Sequence, residues 1–256
     1  RGMMATLDIL GESVLEPDSA RSAAAAYEQL LNSIHQSGVD ANVSLKLTQF
    51  GLSFDHRLAL ELLRQVTQKA RAAGNFVRID MEDTPYTDLT LSFYRTLRNE
   101  GFDNLGVVIQ AYLYRSLDDI KGLAVDHGRL NLRLVKGAYD EPPELAYPRK
   151  SQVDANFQEL IVYCLDHGIY TAIATHDERM IAFTQQHAKK TGVRNDRFEF
   201  QTLYGVGRDL IQNLTDQGHR TRVYVPYGED WYPYFVRRLA ERPANLGFML
   251  RSLFRR

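Results

Sequence analysis

Two textures alternate along the chain. Short apolar runs rich in β-branched residues are each followed by a longer stretch with apolar residues three and four positions apart, the spacings of buried strands and amphipathic helices. Eight such short runs predict strands: ATLDILGES from Ala5, ANVSLKLT from Ala41, FVRIDME from Phe76, LGVVIQAY from Leu105, LNLRLVKGAY from Leu130, YTAIATHD from Tyr170, FEFQTLYG from Phe198 and TRVYVPYG from Thr221. The punctuation agrees. Gly38, Gly74, Gly101, Gly128, Gly168, Gly192 and Gly218 each stand after a helical stretch and before a strand. Glycine there suits a left-handed helix end. Asp18 or Ser19, Asp55 and Asp177 precede helical stretches as oxygen caps.

Repeated strand-helix units predict an α/β fold, and eight of them fit a closed (β/α)8 TIM-type barrel with nothing left over. A doubly wound open sheet is the structural alternative, because strand number alone does not prove closure. The 256 residues match the usual size of such a barrel, about 250 residues, and no linker or composition break divides them. A single domain over 1–256 is therefore expected.

Composition narrows the function classes. The chain has 31 Lys+Arg against 32 Asp+Glu, a net charge of −1, which argues against a protein that coats nucleic acid. The single Cys164 leaves no internal disulfide and no multi-cysteine metal site, and it reads as a packing residue within a helix. No apolar run is long enough to span a bilayer, and the first residues resemble neither a signal nor a transit peptide.

Polar residues gather where strands end. Lys46 lies in VSLKLT, Asp80 and Glu82 close FVRIDME, and Gln110 closes VVIQ. Arg133 and Lys136 lie in LRLVKGAY, Thr175 and His176 in AIATH, Gln201 in FEFQ and Tyr224 in RVYVPYG. In a parallel barrel these ends share one rim, where barrel enzymes place their chemistry. Each residue has a plain structural alternative. Lys46 or Arg133 fits half of a structural ion pair, His176 a capping or packing residue, and Gln110 or Gln201 a partner for buried backbone. Their convergence from nearly every strand favours a site, because unpaired buried charge is costly.

On the last helical stretch, YFVRRLAER sets Arg237 and Arg238 beside Tyr234 and Glu241 at helical spacing. A solvated basic face and a guanidinium fork for a carboxylate or phosphate both fit. Gly205-Val206-Gly207 is a weak phosphate signal, and Lys136-Gly137-Ala138 a stronger one. His35, His127 and His167 fall near helix C-termini, where a cation is favoured, and read as structural residues. No His/His/carboxylate spacing suggests a metal, and no serine sits in a nucleophile elbow.

The chain resembles the proline dehydrogenase family, flavin enzymes that oxidise L-proline to Δ1-pyrroline-5-carboxylate. RLVKGAY, from Arg133 to Tyr139, carries the resemblance most specifically. VSLKL, RIDME, IATHD, FEFQTLYG and YFVRRLAER support it in family order over nearly the whole chain. KGAYDEPPELAYP resembles the short monofunctional bacterial enzymes. The long bifunctional proline-utilisation proteins tend to carry tryptophan where this chain has Asp140.

The resemblance implies a (β/α)8 barrel holding FAD, and a role for each matching residue. Asp80 and Arg133 would stand at the reacting centre, Arg133 beside flavin N5. Lys46, Arg237 and Arg238 would grip the proline carboxylate. Leu134, Tyr139, Tyr224 and Tyr234 would enclose its ring. Met81, Gln110, Lys136, Gly137, Ala138, Thr175, His176 and Gln201 would contact FAD, and Glu241 would tie the arginine helix to the site. Hydride would pass from proline C5 to flavin N5, and the electrons to a membrane quinone. That implies a cytoplasmic protein meeting the membrane peripherally. Related hydroxyproline oxidases are typically smaller at the Tyr224 position, so a tyrosine favours unsubstituted proline.

Family members also carry helices before the first strand. This chain reaches its first strand almost at Arg1, so an N-terminal helical segment is expected to be missing. Because eight units take up nearly all of these 256 residues, neither a second domain nor an anchor is expected within them. From the residues alone, two other classes stay open. One is a barrel enzyme of the aldolase type with Lys46 or Lys136 as a Schiff-base lysine. The other is a non-catalytic barrel that binds proline or flavin.

Overall fold

The computed structural model describes residues 2–229. Eight parallel strands close into a barrel in sequence order. They are β1 (Met4–Ile9), β2 (Ala41–Leu45), β3 (Val77–Ile79), β4 (Leu105–Gln110), β5 (Asn131–Val135), β6 (Tyr170–Ala174), β7 (Phe198–Leu203) and β8 (Thr221–Tyr227). Closure is made by β8 pairing with β1, with Thr6 opposite Tyr224 and Asp8 opposite Pro226. The expected barrel is thus found, and the open sheet is not.

Helices follow the strands: α1 (Pro17–Ser37), α2 (His56–Ala72), α3 (Thr87–Asn99), α4 (Ser116–Asp126), α5 (Lys150–Asp166), α6 (Glu178–Thr191) and α7 (Arg208–Asp216). The start of α1 corrects the expected cap. Pro17 occupies the first turn, where its fixed φ and missing N–H cost nothing. Glu16 becomes the N-cap and makes no side-chain cap, so Asp18 and Ser19 lie inside the helix. Asp55 and Asp177 do cap, accepting from the backbone N–H of Leu58 at 3.0 Å and of Arg179 at 3.1 Å. Gly38 and Gly192 end their helices left-handed, with φ of 67° and 74°. Gly128 does not, because α4 ends in an extended His127 at φ −142°. His127 at that helix end is a structural residue, as expected. It is buried, and burial with Arg98 nearby lowers its pKa.

Alternation along the strands separates two environments. Val43, Leu45, Val77, Ile79, Leu132, Leu134, Phe198 and Phe200 belong to one hydrophobic core with helix residues such as Tyr27, Leu63, Tyr94 and Phe157. The intervening positions carry Ser44, Arg78, Arg133, Glu199, Gln201 and Arg222, all buried. Apolar packing therefore lies between barrel and helices, while the barrel's inside is polar. Charges survive there by pairing. Arg222 Nε donates to Glu199 Oε1 at 2.9 Å, and Arg78 donates to the backbone and side chain of Asn131.

Candidate active site

The strands' C-terminal ends meet around a cavity of about 300 Å3. Asp80, directly after β3, is its most heavily bonded carboxylate. Oδ1 accepts from Arg133 Nη1 at 2.6 Å and from Ser44 Oγ at 2.7 Å, and Oδ2 accepts from the Tyr224 hydroxyl at 2.9 Å. Arg133 Nη1 also reaches Ser44 Oγ at 3.0 Å, and its guanidinium carbon stands 5.3 Å from the centre of the Tyr224 ring. Burial raises the Tyr224 phenol well above its usual range, and Asp8 and Asp80 add to the shift, so it stays a donor. Arg133 Nε and Nη2 are buried in this site and bond to no described residue.

Lys46 follows β2 and is only 7% exposed. Its Nζ lies 3.6 Å from Asp8 Oδ2 on β1. Burial opposes its charge, yet Asp8, Asp80, Glu82 and Glu12 outweigh burial and raise its pKa. The Tyr27 hydroxyl, from α1, braces this corner by donating to Ser44 O at 2.9 Å and to Asp8 Oδ1 at 3.3 Å. Glu82 is among the charges acting on Lys46. Its carboxylate accepts from Thr48 N at 3.0 Å and Thr48 Oγ1 at 2.5 Å. Burial nevertheless pushes its pKa up to about 7.

The opposite wall comes from β4 to β7. Gln110 Nε2 donates to Glu82 O at 3.2 Å. Gln201 Nε2 donates to Glu199 Oε1 at 2.5 Å. Lys136 Nζ is held between Asp154 at 2.5 Å and Asp177 at 2.7 Å. Arg179 and Lys136 together hold Asp177 well below the usual carboxylate range despite burial. Thr175 Oγ1 accepts from Asp177 N at 3.1 Å. His176 Nε2 accepts from Leu203 N at 3.0 Å, so that nitrogen carries no proton. Gly137 has φ +113° and no room for a Cβ, which would overlap the Tyr112 ring.

Lys46, Asp80, Met81, Gln110, Arg133, Lys136, Gly137, Ala138, Tyr139, Thr175, His176, Gln201 and Tyr224 all line this one cavity. Leu134 does not. It sits one position from Arg133 and so faces the helices, fully buried in the hydrophobic core. Val135, two positions on from Arg133, lines the cavity instead, as do Leu203 and Ala174. Period-two counting from Arg133 and Gln201 was the signal that would have found Val135 and Leu203. The GxG glycines do not line it, although Gly207 opens α7 next to His176. Tyr234, Arg237, Arg238 and Glu241 lie outside the described residues.

Comparison with known proteins decides the family. The profile described as proline dehydrogenase matches residues 1–251. The chain belongs to the proline dehydrogenase family. It is 44% identical over 255 residues to proline dehydrogenase 1 of Bacillus subtilis subsp. natto, covering 100% of this chain and 83% of that one. It is 43% identical over 258 residues to the proline dehydrogenase of Deinococcus radiodurans, covering 99% and 83%. Among solved structures, proline utilization A from Bdellovibrio bacteriovorus inactivated by N-propargylglycine superposes with a TM-score of 0.87 at 30% identity. That match takes in 93% of this chain and 30% of the other. The resemblance drawn from RLVKGAY thus holds, including its kinship with the shorter enzymes. Among the described residues, no helix is long and apolar enough to cross a membrane.

The cavity wall suits a bound group that both donates and accepts hydrogen bonds. Gln110 Oε1, Gln201 Oε1, Arg133 Nε and Arg133 Nη2 are buried polar atoms of cavity-lining residues, and they bond to no described residue. Buried polar groups are ordinarily satisfied, so a bound group with both donors and acceptors fits this wall. Gly137 gives that wall bare backbone.

Proposed function

We propose that this chain oxidises L-proline to Δ1-pyrroline-5-carboxylate with FAD as cofactor. The observation that carries the proposal is the Arg133–Asp80–Tyr224 constellation inside a family barrel, with Lys46 held protonated on the same cavity.

Gln110, Lys136, Gly137, Ala138, Thr175, His176, Gln201 and Met81 would hold FAD. When bound, FAD would supply at its N5 the two-electron acceptor for hydride from proline C5. Asp80 keeps Arg133 oriented and leaves Nε and Nη2 free to donate where negative charge develops. Lys46, kept cationic by Asp8, meets the substrate carboxylate together with Arg237 and Arg238. Holding the substrate in one orientation supplies a large part of the rate. Tyr224, fixed through its hydroxyl to Asp80, walls the pyrrolidine ring with Tyr139, Tyr234 and the apolar side chain of Leu203. Glu241 would support Arg237 and Arg238 in that role. The proposed electron acceptor is a membrane quinone, reached by a cytoplasmic protein that touches the membrane peripherally.

The aldolase-type alternative loses support at both lysines. A Schiff-base lysine needs a neutral amine. Lys46 has a raised pKa and Lys136 is gripped by two carboxylates. A visible spectrum of the purified protein tests the proposal. Flavin bands that bleach on adding proline are expected. A colourless, active protein, or bands indifferent to proline, sinks it.

A further inference from the structure

The loop from 136 to 149 is fastened on both sides of Tyr139. Upstream, Gly137 sits so tightly over the Tyr112 ring that a side chain would overlap it. The backbone N–H of Tyr112 also donates to Lys136 O at 2.8 Å. Downstream, Glu141 accepts from Thr84 N at 2.7 Å with Oε1, and from the Thr84 hydroxyl with Oε2. The Tyr112 hydroxyl lies 3.5 Å from Glu141 Oε1. Burial and the Glu141 charge raise that phenol's pKa, so the ring stays neutral beside the carboxylate. Thr84 opens the 3-10 turn Thr84–Tyr86, a few residues beyond Asp80.

Tyr139 lies midway between these anchors, two residues from each, and it lines the cavity. Glu141 itself is not among the lining residues. A carboxylate bonded twice to one residue fixes its direction as well as its distance, and charged hydrogen bonds are the stronger kind. The loop after β5 is thereby tied to the loop after β3, which carries Asp80.

We propose that Glu141, clasped by Thr84, is a positioning residue. It holds Tyr139 at the cavity wall and sets how closely the pocket fits bound proline. The second half of this proposal rests on the proline-oxidation reading; the first half does not.

The test uses the holoenzyme with Glu141→Gln, Thr84→Val and Thr84→Ser. Tyr114→Phe is the control, because the exposed Tyr114 also bonds this loop, through Pro143 O at 2.9 Å, and does not line the cavity. Hydrogen exchange at the Tyr139 amide should quicken roughly threefold to tenfold in Glu141→Gln and Thr84→Val, the value of about one hydrogen bond. KM for proline should rise by a similar factor with kcat within about twofold, the pattern of lost binding geometry. Thr84→Ser restores the hydroxyl and should behave as wild type, as should Tyr114→Phe. Unchanged Tyr139 exchange in both disruptive variants overturns the clasp. Faster exchange with unchanged KM, or an equal loss in kcat, overturns the positioning role. A wild-type protein that oxidises no proline counts against the functional reading alone, and the exchange data still decide the clasp.

Discussion

Arg133 on β5 and Asp80 after β3 meet at 2.6 Å across the barrel mouth, with side chains 4% and 14% exposed. Breaking a buried pair leaves a charge without compensation, at a cost of about 3–5 kcal/mol. Asp80→Asn is therefore expected to lower stability by several kcal/mol in urea unfolding. It should also cut kcat/KM far more than it weakens flavin binding, because Arg133 loses its orientation.

Tyr224→Phe removes the hydrogen bond to Asp80 Oδ2 while keeping the ring. Bonds to charged groups contribute about 1.5–3 kcal/mol. A loss of that size in unfolding free energy is expected, with proline turnover reduced and the flavin spectrum retained. A variant as stable as wild type would show that the bond contributes nothing.

Glu82 gives the fold a pH dependence of unusual sign. Its pKa is pushed by burial from 4.5 up to about 7, so the folded state binds its proton more tightly than the unfolded chain does. The contribution of this group to stability is fully present below about pH 4.5 and is lost as pH rises through about 7. At 1.36 kcal/mol per unit the swing is about 3 kcal/mol. Thermal unfolding of wild type and Glu82→Gln from pH 4.5 to 8 isolates it. The difference between the two proteins should change across that window.

Gly137→Ala should fail locally. A left-handed φ of +113° strains any side chain, by about 1–3 kcal/mol, and the new methyl would overlap the Tyr112 ring. A lower Tm and less flavin absorbance per mole of protein are the expected readouts.

Arg237→Met tests the proposed carboxylate grip. KM for proline should rise steeply while the flavin stays bound. An unchanged KM rules out the grip.

The barrel was legible in the sequence because each strand is a compact β-branched run closed by a turn signal. The rim was legible because polar residues interrupt those runs at their ends. What stayed hidden was partnership across long chain separations. Nothing near Lys46 in sequence names Asp8, which the pairing of β1 with β2 brings beside it, and nothing near Tyr224 names Asp80, which closure of the barrel brings within reach. Leu134 shares the RLVKGAY motif with Arg133 yet faces the core, because strand alternation and not motif membership sets its side. At the start of α1, Pro17 outranks a capping side chain as a first-turn residue, so Asp18 and Ser19 fall inside the helix.

The dry core of this protein is an annulus, a sleeve of Leu, Ile, Val and Phe gripped between strand backs and helices. The lumen it surrounds is held instead by ion pairs such as Arg133–Asp80 and Arg222–Glu199. Apolar packing and chemistry are therefore assigned to opposite faces of the same strands, one residue apart. Along VRID or NLRLV, a change at one position alters how tightly the sleeve is packed, and a change at the next rewrites the reactivity of the mouth. Any rebuilding of this barrel toward a new substrate has its freedom in the odd-numbered or the even-numbered positions of a given strand, never in both.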